Sequence, residues 1–248
     1  MNYRVRLRNG LTALAVLILA IVLGFYRGIF QFNHPSPERF PVRGVDVSHH
    51  QGTIDWFRAG LHGVDFAYLK ATEGTDFRDN RFAYNWDQCR KTLMPHGAYH
   101  FFSPCSPGRE QARNFLRAVP PDPDALPPAL DLEFDGGPCQ LSRAQLIREV
   151  SAFEKVIQGR FPGPPLFYVT PTFYKRYFDG HRSEFPPHRL WIRNVLRQPS
   201  QTPCDEWTFW QYSNYGRQEG IPGPVDVDVF CADRDTFRRF RSKVAPGR

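Results

Sequence analysis

Asp131-Leu132-Glu133 closes the apolar run Pro128-Ala129-Leu130 and sets two carboxyl groups two residues apart. Side chains alternate along a β-strand, so both acids face the same way from the end of a buried strand. Neighbouring carboxylates repel when ionised, which drives their proton affinities apart. One then holds a proton near neutral pH while the other does not. A proton donor beside a base or an anionic stabiliser is the equipment for cleaving a glycosidic bond. An isolated Asp-x-Glu is more often a strand end with two solvated acids, so the elements around it decide its meaning.

Short apolar runs alternate with helix-like stretches along most of the chain. The pattern predicts strands at Gly44–Ser48, Phe66–Ala71, Gly97–Phe102, Ala129–Glu133, Leu166–Thr170, Leu190–Asn194, Thr208–Ser213 and Asp226–Phe230. Helices are expected at Asp55–Ala59, Arg78–Thr92, Pro107–Val119, Ser142–Gln158, Thr172–Phe178 and from Arg234. Ser142 reads as an N-cap with Gln145 as its capping-box partner. Strand then helix, repeated, implies a parallel α/β sheet, and eight strands in so short a span fit a closed barrel with an abbreviated second half. In such barrels working residues sit at the C-terminal ends of the strands, where Asp46, Glu73, His100, Glu133 and Tyr168 fall.

The bulk properties narrow the class. The 248 residues carry 32 basic and 25 acidic groups, a formal charge of +7, and residues 1–40 hold four of those seven charges. No basic block interleaves with aromatics, which argues against nucleic acid as a partner; the cluster Arg234, Arg238, Arg239, Arg241 and Lys243 reads as a solvated helix face. Arg4, Arg6 and Arg8 precede an uncharged run from Leu11 to Tyr26, the pattern of an export segment. No small-x-small site follows, so residues 10–30 are expected to be a transmembrane anchor or uncleaved signal, with a cleaved signal as the alternative. Residues 1–9 are then a cytoplasmic basic flank, 31–41 a Pro-rich linker, 42–242 the catalytic domain and 243–248 a tail. The expected location is the inner membrane with the domain in the periplasm or outside the cell, or secretion if the segment is cleaved. Five cysteines suit an oxidising compartment and two bridges; Cys204–Cys231 and Cys105–Cys139 are plausible pairs by their places beside strands.

Motifs then line up in order: Arg43-Gly44-Val45-Asp46-Val47-Ser48-His49-His50-Gln51-Gly52, Ala67-Tyr68-Leu69-Lys70-Ala71-Thr72-Glu73-Gly74-Thr75, Gly97-Ala98-Tyr99-His100-Phe101, Asp131-Leu132-Glu133, Phe167-Tyr168-Val169-Thr170, Trp210-Gln211-Tyr212-Ser213 and Val225-Asp226-Val227-Asp228. Over roughly residues 42–240 they resemble the glycoside hydrolase family 25 lysozymes, the Chalaropsis-type N-acetylmuramidases. The resemblance implies a single-domain, flattened TIM-like barrel of (β/α)5(β)3 type. It implies cleavage of the β-1,4 bond between N-acetylmuramic acid and N-acetylglucosamine in peptidoglycan glycan strands, with no cofactor and no metal. Matched position by position, Glu133 is the general acid, Asp131 its companion, Asp46 a third acid and Asp226 the acid of the last strand.

Physically, ionised Asp131 and Asp46 would stabilise a positive transition state, and their field would keep Glu133 protonated. Whether Asp131 attacks the sugar, orients the acetamido group as internal nucleophile or activates water stays open, with substrate assistance favoured. Tyr99, Tyr168, Trp191, Trp210 and Tyr212 are candidate sugar platforms or core filling, and Tyr99 and Tyr168 lead. Gln211 and Trp210 have opposite strand parity, so one of them faces the cleft. Glu73 either contacts substrate or caps a loop; His100 completes the substrate-binding candidates. His50 stands where the family often has an aromatic, and Asp228, sharing a face with Asp226, where Asn is frequent, making the mouth more acidic. Rival readings are a wall-binding module without catalysis and a metal-dependent hydrolase using Asp46, His49, Asp131 and Glu133. The latter is weakened because adjacent histidines on a strand point to opposite faces. A monomer is expected.

Overall fold

The computed structural model describes residues 2–26, 33–133, 139–161, 163–200 and 204–244. Helix α1 (Asn2–Tyr26) spans the basic flank and the uncharged run. The expected anchor is not supported: among the described residues no helix is long and apolar enough to cross a membrane. The uncharged run Leu11–Tyr26 rises about 24 Å as a helix, against the ~30 Å hydrocarbon core of a bilayer. Residues 27–30 of the expected anchor lie outside the described residues, as do the start of the linker and the end of the tail.

Beyond the linker come β1 (Arg43–Val47), α2 (Trp56–Leu61), β2 (Phe66–Glu73), β3 (Phe77–Arg78), α3 (Phe82–Lys91), β4 (His96–Phe101), α4 (Gly108–Ala118), β5 (Ala129–Asp131) and α5 (Arg143–Ile157). The rest is β6 (Leu166–Val169), α6 (Pro171–Phe173) running into a π-helical turn at Tyr174–Phe178, β7 (Arg189–Arg193), β8 (Phe209–Gly216), β9 (Val225–Phe230) and α7 (Arg234–Val244). Strands β1, β2, β4, β5, β6, β7 and β8 run parallel in that order. Strand β9 closes the ring by pairing antiparallel with both β8 and β1. Five strand–helix units followed by three strands therefore form a closed eight-stranded α/β barrel, with β3 as a short flap on β2.

Local chemistry sets the boundaries. Ser142 accepts from the Gln145 N–H, and the Gln145 side chain accepts from the Ser142 N–H, the expected capping box. The helix expected from Arg78 starts instead at Phe82, because Phe77–Arg78 pair with Thr72–Glu73 and Asp79 accepts from the Arg81 N–H. The interior of the barrel is filled by rings: Phe66 and Phe209 lie 4.8 Å apart between centroids, Tyr68 and Trp191 also 4.8 Å, Tyr168 and Trp191 5.0 Å. Gly44 and Gly97 make room for this plug. A Cβ at Gly44 would stand 2.4 Å from the Phe66 ring, and one at Gly97 2.5 Å from the Tyr68 ring. Disulfides join Cys105 to Cys139 and Cys204 to Cys231, and Cys89 is a buried free thiol.

Helices α4 and α5 pack through backbone. A Cβ on Gly108 would lie 1.9 Å from the Glu149 carbonyl oxygen, and backbone there cannot step aside cheaply. Gly108→Ala should cost about 1–3 kcal/mol of stability by overpacking, read as a lowered urea midpoint. A midpoint within error of wild type would show that the two helices separate freely.

Candidate active site

Inward-facing residues at the C-terminal mouth of the barrel build the site. In-register partners across strands share a face. Asp46 on β1 stands beside Asp226 on β9, and Gln211 on β8 beside both Arg193 on β7 and Asp228 on β9. Asp131, the last residue of β5, stands beside Tyr168 on β6, which stands beside Trp191 on β7. Because β9 runs downward, Asp226 lies at the rim and Asp228 a layer deeper, level with Gly44. The expected acidic rim at Asp228 is thus corrected: the residue is fully buried and receives the Trp191 indole N–H at 2.8 Å.

Glu133 does not lie on the strand. β5 ends at Asp131, and two residues on the Glu133 N–H donates to Asp131 Oδ1 at 3.3 Å. Both acids are nevertheless neighbours at the rim. A wire of hydrogen bonds ties the far wall together: Tyr168 Oη donates to Gln211 Oε1 at 2.9 Å, and Gln211 Nε2 donates to Asp46 Oδ2 at 2.7 Å. Glu133, Tyr168, Gln211 and Asp226 line one open cleft of about 430 Å³, together with His50, Gln51 and Arg193. A larger cavity around His96 and Asp122 lies where β4 begins, away from these acids.

Burial is the main force on the acids. It raises Asp46 well above the usual carboxylate range, with Asp226 and Asp228 adding repulsion and the Gln211 amide opposing. Asp131 is raised likewise by burial and then by Glu133, against the Glu133 N–H, Lys70 and Arg193. Burial lifts Asp226 to about 6, with Arg193 and a hydrogen bond to Asp46 opposing and Glu133 reinforcing. Asp228 is raised well above its ordinary value by burial, against the Trp191 N–H. The expectation that Asp46 and Asp131 are simply ionised therefore changes: burial pushes both toward their protonated forms.

Other expected positions divide. Tyr99, half-buried, and Tyr168 both face the acids, whose charges add to burial in raising the phenol pKa of each. Gln211 faces inward and Trp210 outward, where its N–H meets the Asn194 carbonyl at 2.8 Å. Trp191 is 1% exposed, a core ring beneath the acids rather than an open sugar platform. Tyr212 is also buried, with Arg43 donating to its hydroxyl at 3.1 Å. His100 takes the outward parity of its strand. It is fully buried between Thr72 Oγ1 at 2.7 Å and Gln111 Oε1 at 3.1 Å, and burial lowers its pKa to about 4. Glu73 forms an ion pair with Lys70 at 2.7 Å.

The adjacent histidines do not diverge. The strand ends at Val47, a 3-10 turn takes His49–Gln51, and the two rings lie 4.0 Å apart. His49 bonds Asp79 at 2.8 Å, and among the described residues no group of three or more His, Cys, Asp or Glu could hold a metal ion. Arg193 and Lys70 were missed from sequence. Arg193 shares strand parity with Trp191, which was the available signal; its Nη1 lies 3.4 Å from Glu133 Oε2.

A closed α/β barrel with clustered acids at the C-terminal mouth defines a glycosidase-like site. The family model for glycosyl hydrolases family 25 matches residues 45–221. Escherichia coli O6:H1 YegX is 35% identical over 220 residues, covering 87% of this chain and 79% of its own. Lysozyme M1 of Streptomyces globisporus is 34% identical over 200 residues, covering 76% and 67%. The solved family 25 glycosyl hydrolase from Bacillus anthracis superposes with a TM-score of 0.75 at 35% identity, over 85% of this chain and 97% of that one. The chain belongs to glycosyl hydrolase family 25 and is a glycoside hydrolase.

Asp228 gives a stability test with a defined sign. Its folded-state pKa is raised, so its favourable contribution is present below the unfolded pKa and lost as pH rises through the folded value. Asp228→Asn mimics the protonated form at every pH. The variant should melt about 3 °C or more above wild type at pH 7, and the gap should close near pH 4. An equal gap at both pH values would contradict burial as the cause.

Proposed function

We propose that the chain is a lysozyme that hydrolyses the β-1,4 bond between N-acetylmuramic acid and N-acetylglucosamine in peptidoglycan. Family membership supplies the class, and the names of relatives such as Lysozyme M1 support the polymer. The observation that carries the chemistry is the convergence of Asp46, Asp131, Glu133 and Asp226 at one barrel mouth.

Glu133 serves as general acid. Its side chain is 28% exposed, against 8% for residue Asp131, so it is the one of the pair that reaches the ether oxygen between the sugars. Burial and mutual repulsion keep protons in the cluster, while Lys70 and Arg193 favour some negative charge there. The division this produces is one proton to donate and one negative charge to stabilise the oxocarbenium-like transition state. Asp131 holds the acetamido group of the muramyl unit, whose carbonyl oxygen attacks the anomeric carbon as the leaving oxygen takes the Glu133 proton. Water then opens the resulting ring, returning a proton to Glu133. Asp46 and Asp226 share the remaining proton at the rim and hold the field, and Tyr99 and Tyr168 present ring faces and hydroxyls to the sugars.

The two disulfides support action in an oxidising compartment, as does the basic flank ahead of the apolar run. The catalytic domain, residues 42–242, is placed in the periplasm or outside the cell.

Purified peptidoglycan gives the test. Wild type should release new reducing-end muramic acid, and Glu133→Gln should lower kcat by about 10²–10⁴-fold while keeping its melting temperature. Less than tenfold loss would move the acid elsewhere. Release of N-acetylglucosamine reducing ends instead would change the bond assigned.

A further inference from the structure

The cleft is lined by acids that keep part of their negative charge beside Lys70 and Arg193, and the substrate class proposed above brings carboxylates of its own. Muramic acid carries a lactyl carboxyl, free in peptide-free strands, and stem peptides carry others. Such a group entering among Asp46, Asp131, Glu133 and Asp226 is repelled unless a cation meets it. Among the described residues, Lys70 and Arg193 are the cations that act on these acids. Lys70 is committed: its ammonium pairs with Glu73 at 2.7 Å and lies 5.0 Å from the centre of the Phe101 ring and 5.5 Å from that of Phe77. Arg193 is not. Its side chain is 34% exposed on the cleft wall, and its contact to Glu133 is 3.4 Å, longer than a well-made charge-assisted hydrogen bond of about 2.7–2.9 Å. A guanidinium has five donors in a planar fork, and among the described residues Arg193 spends one of them, on Glu133.

We infer that Arg193 reads a substrate carboxylate, binding a carboxyl group of the muramyl unit next to the bond that is cut and so selecting acidic glycan over neutral N-acetylhexosamine polymers. This rests on the peptidoglycan reading. The chemistry suits the residue: an arginine fork grips a carboxylate with two parallel bonds, which a lysine cannot reproduce. Its place suits it too. β7 ends at Arg193, in register with Gln211, so the guanidinium rises from a rigid strand whose neighbour holds Asp46. The carboxyl can come from either of two sources on the same polymer: the free lactyl group of a peptide-free strand, or the stem peptide of an intact one.

Binding to the full-length Glu133→Gln variant separates this from catalysis. The probes are a N-acetylglucosamine–N-acetylmuramic acid tetrasaccharide as free acid, the same tetrasaccharide as its lactamide, and the peptide-bearing tetrasaccharide, measured by calorimetry. A tenfold or greater preference for the free acid over the lactamide, collapsing to near one when Arg193→Ala is added, assigns the lactyl carboxylate. The same preference and collapse for the peptide-bearing probe assigns the stem. Adding Arg193→Lys instead should leave a reduced preference that weakens with salt, which shows that the fold is intact and that the fork matters. Affinities that do not differ among the probes, or that differ equally with and without Arg193, overturn the inference. Failure of wild type to cut any of the three would overturn the hydrolase assignment alone, because the binding comparison needs no turnover.

Discussion

Carboxyl groups crowded above an aromatic plug are the constraint around which the rest of this barrel is arranged. Asp46, Asp131, Asp226 and Asp228 cannot all ionise in so little water, and each is pushed toward its protonated form by burial first and by its neighbours second. The rings beneath them make the medium one of low polarisability, and the hydrogen bonds from Gln211 and Trp191 keep the cost of holding them within what the fold tolerates. A cluster under this tension has protons available at neutral pH. A glycosidase needs that resource, and a core built for stability alone would avoid it.

The architecture supplies the crowding. Parallel strands deliver Asp46 and Asp131 to one mouth, and the antiparallel β9 delivers Asp226 at the rim and Asp228 below it, opposite β1. A further helix between β8 and β9 would have put the last acids elsewhere. Loop staples complete the arrangement. Cys139 lies in the same connection as Glu133 and is bonded to Cys105 in the connection after β4. Cys204–Cys231 fastens the opposite end, where β8 starts and β9 finishes. Arg193 and Lys70 meet the acids from β7 and β2, so the field within the mouth is graded rather than uniformly negative.

The barrel strands were legible because period-two burial and turn residues between them are local signals. The capping box at Ser142 and the strand-end places of Asp46 and Asp131 followed from the same reading, whereas Asp226 entered through the family resemblance. What failed was long-range or depended on where a strand stops. The motif groups His100 with the site residues, although its parity, opposite to that of inward Tyr99, sends it outward against Gln111. Glu133 was placed on a strand that ends two residues earlier, and His49 and His50 were given strand alternation although a 3-10 turn stacks them. Asp228 is buried because β9 runs downward, a direction that spacing alone does not reveal, and Trp191 is buried because its ring packs against Tyr68, Tyr168 and Phe209. A charge-free run after basic residues suggests a membrane anchor, whereas among the described residues no helix is long and apolar enough to cross a membrane.

The account depends on protons retained by buried carboxyls near neutral pH. A carbon-13 NMR titration of the aspartate side-chain carboxyls, assigned by single Asp→Asn variants, reads this directly. Asp226 should titrate near 6, and Asp46, Asp131 and Asp228 above the ordinary carboxylate range. All four titrating near the ordinary value of about 4 would mean that the cluster is solvated and ionised, and the acid chemistry assigned to this mouth would lose its basis.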